Sequence, residues 1–440
     1  MKLLVVASNY PSSVRPIAAS FNERTVAALQ DLCEETRVLA PRPYAPPVLS
    51  SFHPRWKTYR EIPSYEVRNN VVVYRPAYPQ LPKITVSFCI DGAAFLWCRR
   101  IGQRLHRAVG FDAILSFDLL GAGGIAWKIG RDLEIPAVGW AIGNDVRVKA
   151  SSAQGRAVAR ALQRLDLVFY QSQELLDVAA TSFFAAARNG GSLDRHIVIA
   201  RGIPQPPQLQ KKSIRHRVRQ QLGVSETHVL VVYIGRIVKE KGIYELSEAV
   251  LQAAEHNPKI RCAIIGSDPG FDETELLMTR LYNRPGFDKI ITLVPACGPD
   301  RVWHYLCAAD IFAFTSYREG MPNSLLEAMS MEVPAVAFSI PPVLEIESDT
   351  GALVLVPPFD SKLFSQALLR LAGSAAERAR IGEAGKREVL NRYTIQKNTR
   401  LVFNHLQKLV GSWRPSYRSY STPTATHKIQ VSSAEASRQF

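Results

Sequence analysis

The sequence predicts an α/β protein of two domains, each a parallel sheet doubly wound with helices. Short apolar runs alternate with amphipathic helical segments, a pattern typical of parallel strands joined by crossover helices. The alternation forms two series, which are separated by the proline-rich segment 202–207. The chain has 440 residues, of which 47% are hydrophobic and 21% charged. This composition supplies material for two packed cores and excludes a disordered or fibrous protein.

The predicted strands are short runs rich in Val, Ile, Leu and Phe, bounded by turn residues, as expected of strands that are buried on both faces. In the first series they cover residues 2–8, 36–40, 71–75, 113–117, 137–142, 167–171 and 197–201. In the second series they cover residues 229–234, 261–265, 290–294, 311–315, 335–338 and 352–356.

The composition divides the chain into a first domain at 1–205, a linker at 206–225 and a second domain at 226–390. A helical segment at 391–410 follows, and the Ser-, Thr- and Ala-rich tail at 411–440 is predicted to be disordered. Ligands of doubly wound sheets bind outside the carboxyl ends of the strands. Two such sheets that face each other therefore predict a cleft between the domains.

The charge balance predicts an anionic partner. Lys and Arg number 54 against 39 Asp and Glu, a formal net charge of +15; this suits a phosphorylated small molecule, a nucleic acid or an acidic membrane face. No metal-ligand spacing joins the six cysteines, so reduced thiols are expected. The apolar start, residues 2–8, is too short for a signal peptide, and we expect a cytoplasmic protein.

Residues 315–329 form the most informative segment. They follow a predicted strand directly, and Pro322 with Asn323 or Ser324 predicts a helix start. A loop ending at such a start presents free backbone N–H groups to an anion. Glu319 in the loop and Glu327 in the helix are candidates to accept hydrogen bonds from hydroxyl groups of one ligand. In an alternative interpretation, Ser324 and Glu327 form a capping box that only closes the helix start.

A second candidate segment follows the strand at 229–234. That strand leads into Gly235, and Arg236 and Lys241 precede the next helix. Glycine permits close approach of a ligand to the backbone, arginine can bind phosphate with two hydrogen bonds, and lysine adds a point charge. The alternative is an ordinary solvated turn. Both segments lie at the carboxyl edge of one predicted sheet, so they could converge on a diphosphate.

Together these segments resemble the motifs of family 4 of the retaining glycosyltransferases. The resemblance rests on Gly235-Arg236 with Lys241-Gly242, and on Glu319 and Glu327, which have seven residues between them within Arg-Glu-Gly-Met-Pro-Asn-Ser-Leu-Leu-Glu-Ala-Met. Segments 265–269, 343–346 and 351–354 support it. It is specific over residues 228–410 and looser over residues 1–205. It implies the GT-B fold, two facing Rossmann-like domains with an interdomain cleft, and a final helix that crosses back to the first domain.

The resemblance also implies a nucleoside-diphosphate sugar as the donor. Arg236 and Lys241 would hold its pyrophosphate and stabilise the leaving group, while Glu319 would contact the donor sugar. The base would lie near Val294, and Glu327 would accept hydrogen bonds from the ribose. The other donor contacts expected are Gly235, Gly266, Gly320, Met321, Pro322, Asn323, Ser324 and Leu325. Retaining transfer without a metal ion or cofactor is implied, and the Asp-x-Asp motif of metal-dependent transferases is missing from the sequence.

The first domain offers candidates for the acceptor side. Arg15 follows the first strand, and Asn144 and Asp145 stand in a segment similar to the family's His-Gly-Ser-Asp. Ile142 occupies the position at which many members carry histidine, so one family contact to the donor sugar is unfilled. A cap of the strand end is the alternative role for Asn144 and Asp145. The resemblance implies a polysaccharide or lipid-linked saccharide as acceptor, in cell-envelope or exopolysaccharide synthesis.

Three other functions stay open. Residues 121–126 fit a Gly-x-Gly-x-x-Ala fingerprint with Asp145 downstream, which suits an NAD-dependent oxidoreductase. Nucleotide-sugar epimerases share the two-domain fold, and the absence of the family histidine is compatible with a non-catalytic sugar-nucleotide binding protein. Release of a nucleoside diphosphate that depends on an acceptor separates all three from a transferase.

Basic residues interleaved with aromatic or apolar ones occur at 55–60 and 95–107, and such segments suit an anionic membrane surface. A core helix with a solvated edge is the alternative for 95–107. We therefore expect a cytoplasmic protein with peripheral contact to the inner face of the plasma membrane. No motif favours nucleic acid, and the oligomeric state is not predicted.

Overall fold

The computed structural model describes residues 1–47, 54–79, 94–184, 193–267, 272–284 and 286–414. Residues 268–269 of the supporting segment 265–269 and the predicted tail beyond residue 414 lie outside these ranges.

A parallel sheet with the strand order β10-β9-β8-β7-β1-β2-β5-β4 organises the first domain, and β4 at its edge is antiparallel. A small pair, β3 and β6, lies apart from it. Nearly every residue of the central strands is buried, which explains their continuous apolar sequences. The strands are β1 (Lys2–Ala7), β2 (Glu35–Leu39), β3 (Arg42–Pro43), β4 (Tyr65–Arg68), β5 (Val71–Tyr74), β6 (Ala77–Tyr78), β7 (Ala113–Phe117), β8 (Ala137–Ala141), β9 (Leu167–Tyr170) and β10 (His196–Val198).

Helices cover both faces of this sheet and bury its side chains in two apolar clusters. Ser152 and Ser172 cap two of them by accepting hydrogen bonds from first-turn N–H groups. The helices are α1 (Ser20–Gln30), α2 (Pro54–Glu61), α3 (Ala94–Val109), α4 (Ala122–Leu133), α5 (Ala153–Arg164) and α6 (Gln173–Ala179).

The second domain has a fully parallel sheet with the order β13-β12-β11-β14-β15-β16. Its strands are β11 (Val229–Ile234), β12 (Ile260–Gly266), β13 (Ile291–Pro295), β14 (Ile311–Phe314), β15 (Ala335–Phe338) and β16 (Leu353–Val356). Each strand predicted from sequence, in both series, matches an observed one with its ends shifted by a few residues. The GT-B arrangement of two doubly wound domains is therefore confirmed.

The helices of the second half pack on this sheet around one large apolar cluster. They are α7 (Lys211–Gln221), α8 (Ile243–His256), α9 (Asp272–Tyr282), α10 (Pro299–Ala308), α11 (Asn323–Ser330), α12 (Pro341–Glu347), α13 (Ser361–Gly373), α14 (Ala375–Arg392) and α15 (Ile395–Ser412).

Helix α15 follows the second domain in sequence but packs on the first. Val402, Phe403 and Leu406 belong to the same buried cluster as residues of β1 and α1. Before the helix, Thr394 forms a β-bridge with Ile203, where the chain first leaves the first domain. The two crossings between the domains therefore lie side by side.

The segment predicted as the linker contains helix α7. Only Ile214 and Val218 of this basic helix are buried apolar residues, which is why its composition resembles a linker. Arg219 fixes the helix to the second domain through an ion pair with Asp310 at 3.0 Å. Residues 211–221 are therefore not a flexible connection. The domain boundaries stay a prediction.

Candidate functional site

A cleft with a volume of about 300 Å³ lies between the two domains. Arg24 of α1 and Arg201 line its first-domain wall, and Lys241, Glu319 and Glu327 line its second-domain wall. The second-domain residues follow β11 and β14, which are neighbours in the sheet. The carboxyl ends of adjacent strands thus bring the two predicted segments to one place.

Hydrogen bonds hold the two second-domain loops against each other. The Thr315 hydroxyl donates to the carbonyl of Lys241 at 2.9 Å, and the Tyr317 N–H donates to the carbonyl of Glu240 at 3.0 Å. Gly242 has φ 64°, and a Cβ there would lie 2.0 Å from the Thr315 carbonyl oxygen. The turn can approach the loop this closely only because residue 242 is glycine.

Lys241 and Glu319 form an ion pair at the floor of the cleft. Their side chains are 18% and 15% exposed, so both groups remain accessible to a ligand that enters the cleft. The pair provides one cation and one carboxylate side by side. Such a pair can bind a phosphate through the lysine and a hydroxyl group through the carboxylate.

Glu327 pairs with a residue of the other domain. Its Oε1 lies 2.9 Å from Nη1 of Arg24, and burial raises the pKa of the carboxyl while the arginine opposes that rise. Helix α11 begins after Pro322, and no side chain caps it. The capping-box alternative for Ser324 and Glu327 is therefore wrong, because the carboxylate faces Arg24 and not its own helix start.

The predicted donor residues divide into two groups. Those that line the cleft are Gly235, Lys241, Glu319, Met321, Pro322, Asn323, Ser324 and Glu327. The others lie outside its lining: Arg236 is exposed beside it, Gly266 packs against the Gly235 carbonyl, Val294 is half-buried in β13, Gly320 packs on the first domain, and Leu325 is in the core. Their roles in binding stay predictions.

The two domains touch at Gly320. A Cβ at this position would lie 2.3 Å from the carbonyl oxygen of Ile142. Beside it, Nη2 of Arg147 donates to the Glu319 carbonyl at 2.9 Å. The residue that replaces the family histidine therefore lies directly against the loop that carries Glu319.

Asp145 serves as a cap in the structure. Its buried carboxylate accepts hydrogen bonds from the N–H groups of Leu119 and Gly143 at 2.9 and 2.8 Å, and from Ile142 and Val146 at 3.1 Å. This is the strand-end alternative predicted from sequence. Asn144 and Arg15 line a second cavity in the first domain, as does Asp145, and not the interdomain cleft.

A side chain of the protein binds backbone N–H groups of the segment 121–126, which has the dinucleotide fingerprint. Oδ1 of Asp118 accepts hydrogen bonds from the N–H groups of Gly121 and Ala122 at 2.8 and 2.9 Å. Those N–H groups at the start of α4 are the ones that a dinucleotide pyrophosphate would need. The geometry therefore disfavours an oxidoreductase.

Sequence reasoning missed both arginines of the first-domain wall. Arg201 is 2% exposed, lies over the Phe117 ring at 4.3 Å and hydrogen-bonds Asn22. Its Nε and Nη2 atoms have no hydrogen-bond partner among the described residues, and burial lowers the pKa of Arg201 to about 9. Its place directly before Gly202, where the first domain ends, is the one sequence signal that could have identified it.

The described residues offer neither a metal site nor a helix that could span a membrane. Within those ranges no group of three or more His, Cys, Asp or Glu side chains could hold a metal ion. Among the same residues, no helix combines the length and the apolar character needed to cross a bilayer.

Known proteins are similar to this chain in sequence and in fold. Residues 214–388 match the model for "Glycosyl transferases group 1". The chain is 27% identical over 421 residues, 92% of its length and 98% of the relative's, to a protein of Bacillus subtilis named for teichuronic acid biosynthesis, TuaC. It is 26% identical over 189 residues to the capsular polysaccharide glycosyltransferase CapM of Staphylococcus aureus, which covers 42% of this chain and 46% of CapM.

Among solved structures, Anabaena HepE in complex with UDP-glucose superimposes with a TM-score of 0.69 at 17% identity, over 93% of this chain and 100% of that one. This likeness shows the fold. Residues 214–388 of this chain are therefore similar to the group 1 glycosyltransferases, and the chain as a whole has the GT-B fold.

Proposed function

We propose that the chain is a retaining, metal-independent glycosyltransferase that transfers a sugar from a nucleoside-diphosphate sugar to a saccharide or lipid-linked acceptor. One observation supports this above others: Lys241, Glu319 and Glu327 line one cleft between two doubly wound domains. A cation beside two carboxylates offers separate contacts to the phosphate, sugar and ribose parts of one donor.

The reaction follows from these contacts. The bond between C1 of the sugar and the phosphate oxygen breaks while the acceptor hydroxyl oxygen bonds to C1 on the same face, and the hydroxyl proton passes to the leaving phosphate. Lys241, with Arg236 at the edge of the cleft, stabilises the charge that develops on the diphosphate. Glu319 positions the sugar, and Glu327 accepts hydrogen bonds from the ribose.

The proposal extends to the acceptor and to the location of the protein. Relatives named for teichuronic acid and capsular polysaccharide support an acceptor of a cell-envelope polysaccharide. Helix α3 exposes Leu96 and Trp97 next to Arg99 and Arg100. Apolar side chains beside cations suit peripheral binding to an anionic inner membrane face, which sedimentation with anionic and neutral vesicles would test.

The test of function begins with thermal stabilisation by UDP, GDP, ADP and their sugars, UDP-glucose first because a neighbour of this fold was crystallised with it. We expect one nucleotide to stabilise the protein and its sugar to yield free diphosphate only when an acceptor is added. Activity should survive EDTA, and the product should keep the anomeric configuration of the donor.

Variants at one turn provide a matched control. Lys241→Met should abolish stabilisation by the nucleotide, whereas Lys239→Met, an exposed lysine of the same turn, should leave it intact. Stabilisation by NAD instead of a nucleotide sugar would overturn the proposal. Nucleotide binding without any acceptor-dependent release would favour a non-catalytic binding protein, the function that Ile142 at the histidine position keeps open.

A further inference from the structure

The first domain contains a second cavity, with a volume of about 510 Å³. Part of its lining comes from the segments that follow five strands of the sheet. After β1, β2, β5, β7 and β8, these segments contribute Asn9, Arg42, Arg75, Asp118 and Asn144, respectively. The cavity therefore lies at the carboxyl edge of the sheet, where doubly wound domains bind ligands.

Three side chains in this cavity have a buried polar atom without a hydrogen-bond partner among the described residues. Arg75 is 2% exposed; its Nη2 donates to Glu66 at 2.6 Å and to the Pro11 carbonyl, but its buried Nη1 has no partner among the described residues. Within the same residues, Nε of Arg42 and the hydroxyl of Tyr10 are also buried without a partner. Buried polar groups are nearly always hydrogen-bonded, so three such atoms around one cavity indicate a missing ligand.

The charges of the cavity define that ligand as an anion. Arg15 also lines the cavity, and burial together with the charge of Arg75 lowers the pKa of Arg42. The carboxylates of Asp118 and Asp145, which share the lining, are occupied by backbone N–H groups. Among the described residues, Arg15 and Arg42 therefore have no carboxylate partner, whereas Arg75 pairs with Glu66.

The cavity is adjacent to the donor cleft. Ile142 and Asn144 form part of its wall, and Ile142 contacts Gly320. Glu319 and Met321, on either side of Gly320, line the interdomain cleft. A saccharide anchored in this cavity thus lies one loop away from the donor.

We propose that this cavity binds an acidic acceptor through a carboxylate or phosphate group, with Arg42, Arg75 and Tyr10 as the hydrogen-bond donors. The inference rests on the proposed function, because it assigns a chemical class to the acceptor of the same reaction. A charge-assisted hydrogen bond from each buried donor would satisfy the three atoms that have no partner in the described part of the chain.

The test uses the full chain saturated with the nucleotide that stabilises it, so that the donor cleft is closed to the probes. Glucuronate and glucose 6-phosphate are titrated against glucose by calorimetry. We expect at least one acidic sugar to bind about 10-fold or more tightly than glucose, the gain of a charged hydrogen bond. Which of the two binds distinguishes a carboxylate acceptor from a phosphate acceptor.

Variants locate the binding. Tyr10→Phe removes only an unpaired hydroxyl, and Arg42→Gln removes a half-buried charge, so both should fold. Each should weaken binding of the acidic sugar about 10-fold with nucleotide affinity unchanged, whereas Arg164→Gln, an exposed arginine of α5, should change neither.

The outcomes separate the two proposals. Equal binding of glucose and both acidic sugars, or acidic-sugar binding that Tyr10→Phe and Arg42→Gln leave unaltered, overturns the anion site while the donor assignment stands. Failure of every nucleotide to bind overturns the proposed function, and the acidic sugars are then titrated alone.

Discussion

Glu327 keeps a charged partner in the cleft because Arg24 reaches it from the other domain. Their side chains are only 11% and 25% exposed, and the two atoms of the pair are 2.9 Å apart. Burial raises the pKa of Glu327 and Arg24 lowers it. The arginine therefore extends the pH range in which the carboxylate can accept hydrogen bonds from a ligand.

Replacing Arg24 by methionine should raise the pKa of Glu327 further. Donor affinity, measured by calorimetry from pH 8 to pH 5, should then fall at a higher pH than in the unmodified protein, because the protonated carboxyl is a poorer acceptor. Glu327→Gln should bind the nucleotide about 10-fold more weakly at pH 8 and lose this pH dependence. Arg37→Met breaks an ion pair of similar exposure with Glu35; an equal effect there would contradict the assignment.

Asp118 gives stability a pH dependence of its own. Burial raises its pKa from 3.8 to about 6, and the nearby Asp145 adds to the rise. The folded protein therefore binds this proton more tightly than the unfolded chain. Ionised Asp118 therefore lowers the free energy of unfolding. This loss is absent below pH 4, grows between pH 4 and 6, and reaches its full value of about 3 kcal/mol above pH 6.

The measurement compares urea unfolding of the unmodified protein and Asp118→Asn at pH 7 and pH 5. Asparagine carries no charge and has nearly the same shape as the aspartate, which itself adopts the positive φ of 125° at this position. The stability of the unmodified protein relative to the variant should rise as the pH falls. A difference that stays constant between the two pH values would show that Asp118 does not titrate in this range.

Individual residues show how far sequence reasoning reaches. Glu319 and Lys241 could be placed together because neighbouring parallel strands end at the same sheet edge. Arg24 could not be matched to Glu327, which is 303 residues away, because their contact depends on how the two domains face each other. The burial of Arg201 could not be predicted either, since its aromatic neighbours come from two separate strands and from helix α1.

At the scale of elements, buried strands were predictable, whereas the edge strand β4 and the basic helix α7 were not. A central strand such as β11 is apolar along its whole length because both faces are covered. β4 is an edge strand whose exposed and half-buried residues alternate, so it lacks an apolar run. Helix α7 has two buried apolar residues and is held by ion pairs, which leave no periodic apolar pattern in the sequence.

Asp310 should therefore be critical for α7. It pairs with Arg215 and Arg219 at 2.8 and 3.0 Å and accepts a hydrogen bond from the N–H of Leu230 at 2.8 Å. Asp310→Ala leaves the buried guanidinium of Arg219 with only the more distant and exposed Glu226 as a counter-charge, and it should lower the free energy of unfolding by about 3–5 kcal/mol. Glu226 contacts the same arginines but is 54% exposed, so Glu226→Ala should cost less than about 1 kcal/mol in urea unfolding.

For the whole molecule, the contact at Gly320 fixes how closely the domains approach. Gly320→Ala would push a methyl group against the Ile142 carbonyl and displace the loop of Glu319 or the first-domain loop. Because small misplacement of reacting groups is costly, activity should fall about 100-fold while the midpoint of urea unfolding changes little. At Gly373 an added Cβ meets no atom within 4 Å, and Gly373→Ala should keep its activity; equal losses in both variants would exclude a role for the contact.

Helix α15 couples the stability of the two domains. Leu406 is fully buried in a cluster with β1 and α1 of the first domain, although the helix continues directly from the second. Leu406→Ala leaves a cavity there and should lower the free energy of unfolding by about 2–5 kcal/mol. Leu401 of the same helix is 49% exposed, and Leu401→Ala should cost less than about 1 kcal/mol.

Urea unfolding followed by circular dichroism measures the free energies of unfolding of Leu406→Ala and Leu401→Ala. Because α15 completes the core of the first domain and also extends the second, loosening it should destabilise the first domain while nucleotide still binds the second. The nucleotide should therefore still bind Leu406→Ala below its melting temperature and still raise that temperature. Equal costs at Leu406 and Leu401 would mean that the helix contributes no buried packing to the first domain.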